Sequence, residues 1–414
     1  MENNQMTFDP NLTANEFGIF RSFPKKGEFH YLDNAAMSQA PDCVIEAMVA
    51  HDTMRRANVK RGVYTLAEAA NTAFEGARAV VAQYLGVKDP DEVIFTGGTT
   101  AGINILAHSL GLTLERNDEV LLSQLEHHSN IIPWQVISQR QGVRLRYLPV
   151  TADGRINIER AEDLIKSRTK IVAVTHGSNV TGAITDTVAL SKIVHDKGAM
   201  LLLDGAQTAP GGPLDLPGLD ADFFVFSGHK AYGPTGVGIL WGRKGLLNKI
   251  PPAFGGGEMI LNVGLEKSTF LDAPHRFEAG TPPVTQAIGL AAALEWLSSK
   301  DLPNMHNHLK RLTLRIIEGL AGLDKRISIL GPKLGMERLP IVSFSVDGLH
   351  PHDICQVMND RHGVALRGGF HCAQPLHDLW KLDGSTRVSL APYNNDTDVD
   401  AFLEGMEDCL KILS

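Results

Sequence analysis

Phe226-Ser227-Gly228-His229-Lys230-Ala231-Tyr232-Gly233-Pro234 is the stretch on which the reading of this chain turns. The apolar run from Phe223 to Phe226 reads as a buried strand, and it ends at Ser-Gly before a turn rich in Gly and Pro. An amine at the mouth of a buried strand lies in a partly dry pocket, which favours its neutral, nucleophilic form. A loop lysine on its own is ordinarily a solvated one. The company that Lys230 keeps makes the difference.

Working outward, seven strand candidates fall at residues 92–95, 119–122, 145–150, 171–175, 200–204, 223–226 and 237–240. Helical patterns fill several of the intervals, at 101–110, 158–166 and 188–196, and an earlier apolar stripe from Leu66 to Tyr84 has helical spacing and stops at Gly86. Apolar strands alternating with helices predict an α/β fold with a mostly parallel sheet covered on both faces. In such sheets a ligand sits outside the carboxyl ends of the strands. Regularity lapses between Pro251 and Pro283, which reads as long functional loops, and a helix over 285–297 closes the large domain. Beyond residue 300 the pattern becomes helix 305–320, strand 341–346, helix 352–359, strands 364–367 and 386–390, and a final helix 397–413. The expected organisation is an N-terminal arm over 1–30, a large domain over 31–297 and a smaller α+β domain over 298–414.

Composition narrows the function classes. In 414 residues, 43% hydrophobic and 21% charged content is that of an ordinary globular protein with room for two cores. The net charge of −8 offers no basic footprint for nucleic acid. No apolar run approaches the roughly 20 residues of a membrane span. Met1 to Pro10 is polar and lacks the parts of a signal peptide, so a cytoplasmic location is the default expectation. The four cysteines, Cys43, Cys355, Cys372 and Cys409, form no CxxC pair and no disulfide-dense pattern. Cys409 shares a helical face with Phe402, Met406 and Leu413 and reads as core. Cys43 and Cys355 also sit in apolar helical settings and read as structural.

Three further stretches carry chemistry. Gly97-Gly98-Thr99-Thr100 lies between a strand and a helix, where backbone N–H groups, two hydroxyls and a helix N-terminus together suit an anion. It is neither the dinucleotide GxGxxG nor a nucleotide P-loop. Asp204 ends the strand that contains Leu201-Leu202-Leu203, and a carboxylate there is costly unless paired. A lysine, an acid and a phosphate-type turn at one crevice are the three parts of a pyridoxal phosphate site: the lysine forms the Schiff base, the acid keeps the ring nitrogen protonated, and the turn holds the phosphate. In Glu126-His127-His128-Ser129-Asn130 one imidazole is placed to stack on a cofactor ring, and residue physics leaves His127 and His128 equally eligible. The adjacent histidines point different ways, so no metal is expected. Finally, Arg367-Gly368-Gly369-Phe370-His371-Cys372-Ala373 reads as a mobile glycine segment presenting an exposed thiol beside His371 and near Arg367.

With these residues in view, the chain resembles the group II (SufS-type) cysteine desulfurases of the class V aminotransferases. The resemblance runs from Tyr31 to the C-terminal helix. Its anchors are Tyr31-Leu32-Asp33-Asn34-Ala35-Ala36, Thr96 to Asn104, Glu126 to Ile131, Thr175 to Gly182, Asp204-Gly205-Ala206-Gln207, Ser227-Gly228-His229-Lys230, Arg276 to Pro282, and Arg367 to Cys372. The resemblance implies the pyridoxal phosphate fold-type I architecture, with a seven-stranded sheet, a homodimer, and the cofactor on Lys230. It implies that His127 stacks on the ring, Asp204 pairs with the ring nitrogen and Gln207 meets the ring hydroxyl. Thr99, Thr100, Ser227 and His229 would hold the phosphate, and Thr281 would reach it from the other subunit. Ala35, Asn179, Arg367 and Arg387 would line the substrate site. Cys372 would be the nucleophile, converting L-cysteine to L-alanine and keeping the sulfur as a persulfide. A protein acceptor would then take that sulfur, with iron–sulfur cluster assembly as the expected destination. Selenocysteine lyase is the alternative activity, and a non-catalytic sulfur carrier or scaffold on the same fold is the alternative of another class. Lys60, Tyr64 and Phe370 depart from the family, where histidines often stand.

Overall fold

The computed structural model describes residues 8–22 and 29–413. Its strands are β1 (His30–Tyr31), β2 (Val93–Thr96), β3 (Glu119–Ser123), β4 (Arg144–Leu148), β5 (Thr169–Thr175), β6 (Met200–Asp204), β7 (Phe223–Ser227), β8 (Gly238–Gly242), β9 (Ile260–Val263), β10 (Ser268–Phe270), β11 (Ile327–Leu330), β12 (Ile341–Val346), β13 (Val364–Ala365), β14 (Arg367–Gly369) and β15 (Ser385–Ser389). Seven of them form one sheet in the order β2-β8-β7-β6-β5-β3-β4. Only β8 runs against the direction of the other six. The α/β architecture with a mostly parallel seven-stranded sheet is therefore as expected. Its cause is visible in the central strands: Leu201 to Leu203 and Phe223 to Phe226 are fully buried, as strands covered by helices on both faces must be.

A second, four-stranded antiparallel sheet has the order β11-β12-β15-β14. It carries two arginines in direct cross-strand register, Arg367 on β14 and Arg387 on β15. The chain before the helix Asp42–Met54 links the two sheets, because the Ser38 amide donates to the His229 carbonyl just past β7 at 3.0 Å while the Ser389 amide of β15 donates to the Leu32 carbonyl at 2.8 Å. β1 pairs in parallel with β13, and Asp33 bridges Ser389. The described part of the N-terminal arm is helical, at Pro10–Ala14 and Gly18–Ser22. Between these helices Phe17 is buried edge-on against Trp296 and Tyr393, with ring centroids at 5.4 and 4.8 Å. Residues 1–7 and 23–28 of the expected arm lie outside the described residues.

Four local expectations change. The stretch read as loops between Pro251 and Pro283 contains the antiparallel hairpin β9–β10. The helix expected over 158–166 is a 3₁₀ turn, Ile158–Arg160, followed by a single turn, Ala161–Leu164. The glycine segment at 367–369 is a paired strand rather than a mobile loop. Cys43 is exposed, whereas Cys409 is buried. No described helix is long and apolar enough to cross a membrane.

One buried ion pair braces the large sheet from outside the site. Glu278 accepts from Arg78 at 2.6 and 3.0 Å, from the Phe95 amide at 2.9 Å, and from Lys60 at 3.3 Å. Lys60 thus spends its charge here and does not line the pocket of its own chain, while Tyr64 is exposed. Burial opposes the Glu278 charge, but Arg78, Lys60 and the Phe95 amide together outweigh it and hold the carboxyl below its usual range. Glu278→Gln should lower the unfolding free energy by about 3–5 kcal/mol, because it leaves a buried guanidinium without its counter-charge. Denaturant titration of the variant against wild type checks this.

Candidate active site

Strands β5, β6 and β7 end side by side at Thr175, Asp204 and Ser227. Lys230 follows β7 in the turn Gly228–Lys230. A Cβ on Gly228 would lie 3.0 Å from the Pro234 carbonyl oxygen, so the close return of the chain behind the lysine requires glycine. A cavity of about 190 Å³ opens at these strand ends. Its wall contains every site residue expected above except Thr281, which is exposed on the loop before the helix Val284–Ser298.

Lys230 is half-buried in the pocket wall, and desolvation there pushes its amine down to about 8. Asp204 and Cys372 pull it up and Arg387 pushes it further down, but desolvation is the largest influence. Burial raises the Asp204 carboxyl, against the Ala206 amide at 3.0 Å and the Lys230 charge. Gln207 donates from Nε2 to the Ala35 carbonyl at 2.8 Å, fixing the floor of the pocket.

The phosphate-type turn is organised by Gly98, whose φ of +130° is closed to side chains with a Cβ. It starts the helix Thr99–Gly111 without a side-chain cap. The Thr99 amide donates to Ser227 Oγ at 2.8 Å, and the two hydroxyls Thr99 Oγ1 and Ser227 Oγ are also 2.8 Å apart. A helix end built this way, with hydroxyls gathered at its first amides, fits a phosphate group. His229 faces the same pocket as a neutral ring, its pKa lowered by burial and by Lys230.

The two histidines divide. His127 lines the cavity, and His128 does not. The Ser129 amide donates to His127 Nδ1 at 3.1 Å and Ser129 Oγ lies 2.6 Å from the same nitrogen, so the ring proton sits on Nε2. Burial, followed by Lys230, drives the His127 pKa down to about 3, leaving a neutral ring to present a flat face. Thr100 joins this chain by donating to Ser129 Oγ at 3.0 Å. Glu126 anchors the whole turn: it accepts from Ser123, from Asn130 at 2.7 Å and from the Thr175 amide at 3.0 Å. Burial lifts its carboxyl to about 8.

The opposite wall comes from the second sheet. Arg367 and Arg387 stand directly across from each other, an arrangement of like charges that is unfavourable unless an anion lies between them. Arg387 donates to Asp33 at 3.0 Å and to the Asn179 carbonyl at 3.1 Å, yet its Nε is buried with no partner. That orphaned donor suits a substrate carboxylate. Asn179 donates to the His371 carbonyl at 2.7 Å. Cys372 follows, half-buried, in the same wall. Ser129, His371, Glu126 and Asp33 were not singled out as site residues from the sequence, although Glu126 and Ser129 lie in the histidine motif itself and Asp33 in the Tyr31–Ala36 anchor.

The comparisons with known proteins agree with this geometry. The family model described as aminotransferase class-V matches residues 30–402. A probable cysteine desulfurase of Streptomyces coelicolor is 41% identical over 382 residues, covering 91% of each chain. A cysteine desulfurase of Haloferax volcanii is 40% identical over 379 residues, covering 91% of this chain and 88% of that one. Among solved structures, a cysteine desulfurase of Escherichia coli superposes with a TM-score of 0.90 at 34% identity, covering 98% of this chain and all of the other. One of Thermococcus onnurineus gives 0.90 at 36% identity, over 95% of this chain and 97% of that one. A motif set in the expected order, a cavity that gathers it and a match spanning nearly the whole length converge: the chain belongs to the class-V aminotransferase family, beside its cysteine desulfurases.

Proposed function

We propose that this protein is a pyridoxal phosphate-dependent cysteine desulfurase that converts L-cysteine to L-alanine and leaves the sulfur as a persulfide on Cys372. The observation that carries the reading is the presence of Cys372 in the same cavity wall as Lys230 and Asp204. A lysine with a depressed pKa opposite an acid suits many reactions of this family, but a thiol facing them selects sulfur transfer.

The residues fit the cofactor. Lys230 would carry it, Asp204 would keep its ring nitrogen protonated, and His127 would lie on its face. Gln207 would meet the ring hydroxyl. Thr99, Thr100, Ser227 and His229 would hold its phosphate. When bound, pyridoxal phosphate supplies an electron sink for charge developing at the substrate's α-carbon. Arg387, with Arg367 opposite and Asn179 and Ala35 alongside, orients the substrate carboxylate. Lys230 Nζ removes and later returns a proton at carbon, a role its pKa of about 8 suits near neutral pH. Cys372 attacks the substrate sulfur as thiolate. The new S–S bond forms as the carbon–sulfur bond breaks, and the departing electron pair stays with the carbon that becomes the methyl of alanine.

The same reading includes a homodimer. Thr281, exposed in its own chain, would serve the pocket of a second copy, and the exposed apolar residues Val63 (95%) and Leu265 (108%) support an occluding partner. A protein acceptor would remove the persulfide sulfur, with iron–sulfur cluster assembly as its use. The chain would divide into a large domain over 31–297 and a small one over 298–414.

Incubation of the purified protein with L-cysteine should yield alanine and one added sulfur on the peptide that contains Cys372, read by mass spectrometry. Alanine formation with no sulfur on Cys372, or sulfur only on the exposed Cys43, would overturn the reading.

A further inference from the structure

His371 and Cys372 have φ of +50° and +56°. Left-handed backbone costs a residue with a Cβ roughly 1–2 kcal/mol, so two in succession persist only where neighbours hold them. Four hydrogen bonds do so. The Ala373 amide donates to the Phe370 carbonyl at 2.8 Å, and Asn179 Nδ2 donates to the His371 carbonyl at 2.7 Å. The other two both end on His128. Its backbone amide donates to the Cys372 carbonyl at 2.7 Å, and its ring Nε2 accepts from the Gln374 amide at 3.1 Å.

The second of these bonds has a clear purpose. Gln374 opens the helix Gln374–Trp380, and the first amides of a helix have no partner within it. The residue before it, Ala373, has no side chain able to cap. The imidazole of His128, which arrives from the large sheet after β3, supplies the missing acceptor. His128 therefore grips the chain at the nucleophile and just behind it, at the Cys372 carbonyl and at the Gln374 amide, while Asn179 holds the His371 carbonyl ahead of it. An Nε2 that accepts carries no proton, so the ring is neutral with its hydrogen on Nδ1. Burial supports that state by lowering the His128 pKa.

We propose that His128 is a positioning residue for Cys372: its imidazole caps the helix behind the nucleophile and holds the thiol-bearing backbone in the left-handed conformation needed for attack. The inference rests on the reading of Cys372 as the sulfur-accepting thiol. His128 does not line the pocket, so its effect is exerted through the backbone of the Cys372 segment.

The test uses two variants of the full-length enzyme with cofactor. His128→Ala removes the acceptor but keeps the backbone bond to Cys372. His128→Gln keeps an acceptor, because the glutamine amide oxygen reaches about as far as Nε2. In His128→Ala, single-turnover persulfide formation on Cys372 should slow by about tenfold or more, since small misplacements of a nucleophile are costly. KM for L-cysteine should stay close to wild type. Amide hydrogen exchange of the peptide spanning 370–376, measured without L-cysteine, should quicken in His128→Ala and return toward wild type in His128→Gln. Equal loss in both variants would overturn the proposal, because the ring would then act by something other than accepting from Gln374. Unchanged exchange in His128→Ala would overturn it as well. Hydrogen exchange needs no turnover, so it reads the clamp even if the desulfurase reading itself fails.

Discussion

Lys230→Met protein should purify colourless and should fail to acquire the visible absorbance of bound pyridoxal phosphate, with alanine formation from L-cysteine down roughly 10³-fold or more. The variant removes the covalent anchor and the proton carrier together. Methionine is chosen because it fills nearly the same volume, so the packing around the pocket survives. The same substitution has a second, opposite effect on stability. In cofactor-free protein desolvation of the half-buried amine lowers its pKa from 10.5 to about 8. Its folded-state value lies below its unfolded value, so the folded state binds fewer protons between those pH values. Above about 10.5 the amine is neutral in both states and costs nothing. As the pH falls through about 8, folding must carry a buried charge or give up a proton, and stability is lost. Cofactor-free Lys230→Met should therefore melt at a higher temperature than cofactor-free wild type at pH 7, and the gap should close as the pH rises from about 8 toward 10.5. Thermal melts across that range decide it. A gap that widens with pH would mean that Lys230 is stabilised as a cation by Asp204, and its proposed role as a proton carrier near neutral pH would fall.

What could be read without coordinates follows from where burial leaves a local trace. Strands β6 and β7 were legible because both their faces are covered, so their sequences are unbroken apolar runs ending in polar residues. The hairpin β9–β10 was not, since Leu261, Val263 and Leu265 are exposed and no buried face imposes a period on the sequence. Gly368 conceals its role for a related reason. A Cβ there would lie 2.8 Å from the Pro351 carbonyl oxygen, so the glycine serves close packing in β14 rather than mobility. Cys43 shows the limit of helical pattern: its helix is real, but its side chain faces out. In the site, the residue types in the motifs were enough to name Lys230, Asp204 and Cys372. The bonds that set their geometry were not legible, because they join segments 192 to 354 residues apart. Asn179 meets His371, His128 meets Cys372 and Gln374, and Arg387 meets Asn179 and Asp33. Nothing in a short window of sequence records those pairings.

Cys372→Ala is the substitution that separates sulfur transfer from every other reaction open to this pocket. It should abolish the persulfide and lower alanine formation from L-cysteine by roughly 10³-fold or more, as the loss of a covalent nucleophile does. Cofactor uptake should be unaffected, because none of the groups proposed to hold pyridoxal phosphate is changed. Alanine retains the Cβ, so the left-handed backbone at this position is no more strained than before, and the bonds from Asn179 and His128 remain available. The melting temperature should accordingly stay near that of wild type. L-selenocysteine provides the internal control. Its carbon–selenium bond is weaker than carbon–sulfur, and its cleavage leans less on a protein thiol. A desulfurase predicts that Cys372→Ala loses far more activity toward L-cysteine than toward L-selenocysteine. Full retention of cysteine activity would remove Cys372 from the mechanism, and with it the reason for choosing sulfur chemistry over the other reactions that an acid, a lysine and a phosphate turn can perform. Loss of both activities together with bleaching of the cofactor would instead make Cys372 a structural part of the pocket, since the thiol stands within reach of the Lys230 charge. The spectrum and the two substrate rates, taken on one preparation, distinguish these cases.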